Sequence, residues 1–115
     1  MNFLIKLLIT AIAVLVSSYF LPGVGVDSFL IAVLVAAVLA LLNALLRPIL
    51  VLLTIPLTIL TLGLFLLVIN AVIILLTDGL VPGFHVDGFW WALLFSLILS
   101  LVVSVFEALT GQLKN

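Results

Sequence analysis

The chemistry available to this 115-residue chain is small: three cations, four acids and one histidine. His85 stands two residues before Asp87 in the stretch PGFHVDGFWW, Pro82 to Trp91. A histidine between a phenylalanine and a carboxylate can take up a proton near neutral pH or supply one metal ligand. The simpler reading is a solvated histidine at an interface. Asp27 and Asp87 together could hold a cation, yet each is also placed to cap a helix. No serine, histidine and acid form a set with a spare base, and no glycine loop is arranged to cradle phosphate. Cysteine is absent, which excludes disulfides and thiolate metal sites. A net charge of −1 offers no basic patch for nucleic acid. These residues describe a protein that is not an enzyme and holds no cofactor or metal.

The elements that would position them are membrane helices. The chain is 69% hydrophobic and 6% charged, against roughly 45–50% and 25% in soluble domains. It cannot cover a water-facing surface, so the lipid bilayer is its first partner. A span needs about 20 apolar residues, and four stretches qualify: Phe3 to Leu21, Ser28 to Leu46, Leu62 to Leu80 and Gly88 to Leu109. Lys6 and the run after it have the look of a secretion signal. No small-x-small site precedes Tyr19, and the run aligns with a later segment, so it reads as a mature helix. The expected fold class is all-α: a polytopic membrane helical bundle in one domain, 1–115.

The chain also repeats itself at an offset of sixty. Pro22, Gly23, Val26, Asp27, Phe29 and Ala32 return as Pro82, Gly83, Val86, Asp87, Phe89 and Ala92. This predicts two helix hairpins, units 1–47 and 61–109, joined by a linker at 48–60. Two spans per unit set both hairpins the same way up, about an axis along the membrane normal. Each Pro-Gly fits a type II turn, with glycine supplying a positive φ. Asp27 and Asp87 fit helix N-caps, and Val26 and Val86 fit staples onto Ile31 and Trp91. Tyr19, Phe29, Phe89, Trp90 and Trp91 would form an aromatic belt. Lys6, Arg47 and Lys114 fall on one side, which the positive-inside rule makes cytoplasmic, together with both termini. The unpaired segment 48–62 is too apolar for a watery loop, and Pro56 interrupts it. It reads as a re-entrant or interfacial broken segment, with a helix ending at Arg47 before Pro48. Thr54, Thr58 and Thr61 are available for the backbone groups the prolines free. The alternative is a fifth span.

Small residues step by four along two of the spans: Ser28, Ala32, Ala36, Ala40 and Ala44, then Gly88, Ala92, Ser96, Ser100, Ser104 and Ala108. Such stripes let helix backbones approach closely in lipid. They predict close packing of the second span on the fourth, or of one stripe on another copy in a homo-oligomer. Arg47 and Glu107 are one repeat apart and could pair across the axis; each could instead snorkel separately. Asn43 and Asn70 suit interhelical hydrogen bonds, or a polar path.

The pieces NALLRPILVLLTIPLTILTLGLFLLVINAVIILL, Asn43 to Leu76, and LVPGFHVDGFWWALL, Leu80 to Leu94, resemble the four-span phage holin superfamily IV, with the first hairpin matching more loosely. The resemblance implies a four-span protein of the bacterial inner membrane and transfers no catalytic or ligand residues. Three functions fit. The first is a structural or envelope-maintenance membrane protein acting through packing with copies of itself or other membrane proteins. The second is a holin-like oligomeric pore. The third is a small carrier or channel using segment 48–62.

Overall fold

The computed structural model describes residues 3–61 and 63–114, with side chains described through Thr110. Five helices and one short ribbon follow in chain order: α1 (Phe3–Phe20), β1 (Val24–Val26), α2 (Phe29–Leu53), α3 (Ile55–Leu60), α4 (Phe65–Leu80), β2 (Phe84–Val86) and α5 (Phe89–Lys114). α1, α2 and α5 are long and apolar enough to cross a membrane, and α4 is a shorter apolar helix of 16 residues. At 1.5 Å per residue α4 is about 24 Å long. The all-α four-helix membrane bundle expected from the sequence is the architecture observed, with the ribbon as its one non-helical addition.

The helices close into a ring. α1 packs on α2 and α4 on α5 within each hairpin, while α1 on α5 and α2 on α4 join the hairpins. α2 and α5 therefore stand on a diagonal, and the expected direct packing of one on the other is not what forms. At one end of the bundle the two hairpin turns meet. There β1 pairs antiparallel with β2, with Val24 opposite Val86, Gly25 opposite His85 and Val26 opposite Phe84. Beyond the strands, Asp27 donates its N–H to Gly83 O at 3.0 Å and Asp87 donates to Gly23 O at 2.8 Å. These bonds satisfy backbone groups that no helix can reach.

The core lies beneath this ribbon. Ala11, Ala13, Val14, Ala32, Val35, Ala71, Ala92 and Phe95 are fully enclosed. Phe95 reaches up to Phe84 of the ribbon, with ring centroids 5.7 Å apart. Alanines at the crossings let the backbones approach, so dispersion contacts stand in for the hydrophobic effect that lipid cannot supply. Toward the other end burial fades: Leu39 and Leu99 are the last enclosed residues of α2 and α5.

Segment 48–62 departs from expectation. α2 does not stop at Arg47 but continues through Pro48 to Leu53. A proline inside a helix forfeits one backbone bond. Where water is scarce, leaving the helix would strand more groups than that, so transmembrane helices keep such prolines. The first break comes at Thr54, where its N–H bonds Leu50 O at 3.1 Å and its hydroxyl donates to the same carbonyl at 2.7 Å. Pro56 opens the six-residue α3 rather than interrupting a helix. Thr61 donates its hydroxyl to Leu57 O at 3.0 Å and accepts the N–H of Phe65 at 3.1 Å, which starts α4. Thr58 Oγ1 is buried without a partner among the described residues.

Candidate functional site

At the ribbon end, each turn glycine is held by the opposite hairpin. A Cβ on Gly23 would lie 2.2 Å from the Trp91 ring, and one on Gly83 would lie 3.1 Å from Ile31. Ile31 and Trp91, expected to close over their own turns, thus reach across to the other one. Gly83 has a φ of +93°, as the Pro-Gly turn requires, whereas Gly23 is outside the left-handed region. At Gly23 the need for glycine comes from Trp91 alone.

The caps differ from expectation too. Ser28, not Asp27, caps α2, its hydroxyl accepting the N–H of Ile31 at 3.2 Å. α5 begins at Phe89 after Gly88, whose φ is +129°, so Asp87 stands one residue too early to cap it. The Asp87 carboxylate contacts His85 Nε2 on the exposed side of the ribbon. Asp78 accepts the N–H of Val86 at 3.1 Å and ties β2 to the end of α4. Pro22 and Pro82 are exposed at the turns. Among the described residues no three ligating side chains gather as a metal would need.

The opposite end is open, and several polar residues collect there. A cavity of about 440 Å³ lies between α1, α2 and α5, reached by Lys6, Thr10, Ala36, Ala40, Asn43, Ser100 and Ser104. A smaller cavity of about 90 Å³ lies between α2, α4 and α5, reached by Asn43, Arg47, Asn70, Ser96 and Ser100. Leu39, Asn43, Leu99 and Ser100 border both, so the two adjoin along the α2–α5 diagonal. The small-residue stripes thus face a cleft in their lower halves. Ala32, Ala36, Ala92 and Ser96 are buried in the core above it. Ala44, Ser100, Ser104 and Ala108 are exposed, and Ala40 is half-buried at the cleft.

Arg47 and Glu107 do not meet. Arg47 donates to Asn70 Oδ1 at 2.5 Å, joining α2 to α4. Glu107 pairs with Lys6 at 2.6 Å, joining α5 to α1. Each residue reaches the first helix of the other hairpin, which a diagonal arrangement of α2 and α5 imposes. The Lys6–Glu107 pair also sets the two ends of the chain on the same end of the bundle. Thr10 had no assigned part in the sequence and Lys6 served there only to orient the chain, although an i,i+4 polar pair on an apolar helix was a signal for a closer role.

A bundle of apolar helices, sealed at one end by a backbone ribbon and notched at the other, defines a small polytopic membrane protein. The chain belongs to the family described as Mycobacterial 4 TMS phage holin, superfamily IV, whose model matches residues 1–105. It is 44% identical over 111 residues to an uncharacterized protein of Streptomyces coelicolor, covering 88% of this chain and 89% of that one. It is 35% identical over 97 residues to the uncharacterized membrane protein YvlD of Bacillus subtilis, covering 84% and 82%. No solved structure matches it significantly.

Proposed function

We propose that this is a structural or envelope-maintenance protein of the bacterial inner membrane that works by packing against copies of itself. The carrying observation is the exposed lower half of each stripe: Ala44, Ser100, Ser104 and Ala108 are exposed beyond the enclosed core, with Ser100 and Ser104 along the open cleft. Small residues at four-residue spacing gain nothing against lipid and gain close contact against another helix. The sealed upper half argues in the same direction, since Val14, Val35, Ile73 and Phe95 close it and leave a carrier no route past them. Both chain ends are assigned to the cytoplasm, because Lys6 and Arg47 lie at the open end while Asp27, Asp78 and Asp87 lie at the ribbon end. A tandem repeat of units 1–47 and 61–109 is supported by the core. Ala11, Val14, Ser17, Ala32, Val35 and Leu39 are enclosed, and so are Ala71, Ile74, Thr77, Ala92, Phe95 and Leu99, sixty residues on.

Single-molecule photobleaching of labelled protein in liposomes, diluted over a range of lipid ratios, tests the reading. Multiple bleaching steps are expected, falling to one in Ala44→Leu/Ser104→Leu. Single steps at every dilution refute it. The family's name favours a second reading, an oligomeric pore lined by Ser100, Ser104 and Asn43. Induced expression with a potential-sensitive dye separates the two, since the pore requires depolarisation and the packing role does not.

A further inference from the structure

We infer that the cleft around Arg47 binds the phosphodiester of a monoanionic phospholipid. A guanidinium carries five N–H donors, and the one bond it makes within the described chain goes to the neutral carbonyl of Asn70. Glu107, the acid at this end, is taken by Lys6. Asp27, Asp78 and Asp87 are at the ribbon end. Arg47 is half-buried, so its charge is partly withdrawn from water, with no carboxylate bonded to it among the described residues. Its counter-charge comes from outside the chain.

The position of Arg47 says which anion that is. It follows the start of α2 at Phe29 by about 27 Å of helix, close to the thickness of a hydrocarbon core. Its Cα therefore lies near the edge of the hydrocarbon, and the guanidinium, held by Asn70, is within reach of a phosphate drawn into the cleft. Planar, bidentate donors match a phosphate's oxygens better than any other side chain. The small cavity beside it presents Asn43, Ser96 and Ser100, whose amide and hydroxyls can hydrogen-bond a glycerol headgroup. The larger cavity adjoining it is walled by Phe3, Leu7, Leu39 and Val103, a surface for the upper part of an acyl chain. With Lys6 and Glu107 neutralising one another, Arg47 is the one unbalanced charge among the described side chains lining the cleft. A lipid carrying one net negative charge completes it.

The test measures lipid binding to the full chain in neutral detergent, by native mass spectrometry. Phosphatidylglycerol, phosphatidylcholine of the same acyl chains, and inorganic phosphate are compared. Phosphatidylglycerol is expected to bind about tenfold or more tightly than phosphatidylcholine, which offers the same phosphate but brings a choline cation beside Arg47. Arg47→Gln should erase the preference, while Lys6→Gln/Glu107→Gln should keep it. Equal binding of the two lipids overturns the inference, as does a preference that survives Arg47→Gln. Full competition by millimolar phosphate also overturns it, by showing a site for a free anion. Should Arg47→Gln fail to fold, Ser100→Leu fills the cleft with the charge intact. Reduced phosphatidylglycerol binding then supports the site, and unchanged binding refutes it.

Discussion

A covalent bond across the centre of the ribbon would test the arrangement of the two hairpins directly. A Cβ built on Gly25 lies 3.8 Å from the Cβ of His85, which matches the mean Cβ separation of a disulfide, about 3.8 Å. The chain contains no cysteine, so Gly25→Cys/His85→Cys introduces a single possible bridge. It closes a loop of about 60 residues, for which chain-entropy arguments give ~4 kcal/mol of stabilisation. The expected result is an oxidised monomer that migrates faster than the reduced one in denaturing gels and unfolds at higher denaturant in micelles. Reductant should remove both effects. In living cells the bond should form without added oxidant if the ribbon end faces the oxidising side of the membrane, as proposed above. A cross-link that forms only between chains, or none even with oxidant, would refute the register. A bond that needs added oxidant in intact cells would refute the assigned orientation.

The glycines give a contrasting pair. Gly23→Ala drives a methyl into the near atoms of the Trp91 indole, which rotation about the outer bond cannot clear, so a loss of about 1–3 kcal/mol is expected. Trp91→Ala should relieve most of that loss in a double-mutant cycle in micelles; additive effects would count against the contact. Gly79→Ala, in α4 with open space around it, should instead be neutral or stabilising by up to about 1 kcal/mol. Asp78→Ala removes the acceptor for the Val86 N–H and should cost ~1–3 kcal/mol, with faster amide exchange at Val86 as the specific sign. The Lys6–Glu107 pair is more exposed, and Lys6→Gln should cost less than about 1 kcal/mol; a larger loss would mean that it closes the cleft.

The spans were legible because lipid demands long apolar runs, and the offset of sixty was legible because Pro-Gly and Val-Asp are rare in such a chain. Four things were harder to read. Ser28 rather than Asp27 caps α2 because the ribbon runs one bond further than a plain turn would, drawing Asp27 into its backbone pairing. The ribbon itself left a trace in Val24, Val26, Phe84 and Val86, a period of two too short to stand out among helices. The order of helices around the ring left none, since a repeat shows which residues are equivalent and not which ones touch. Arg47 and Glu107 take partners that follow from that ring. Pro48 misled because the rule that ends helices before proline is learned largely where water can take over the freed carbonyls.

The pairing of β1 with β2 has a consequence for biogenesis. The first strand leaves the ribosome about sixty residues before its mate. At ~5–20 residues per second, it waits roughly 3–12 s with its backbone groups unmatched. Insertion of the first hairpin is thus separable from completion of the fold, and whatever guards that strand in the interval acts before the second hairpin arrives.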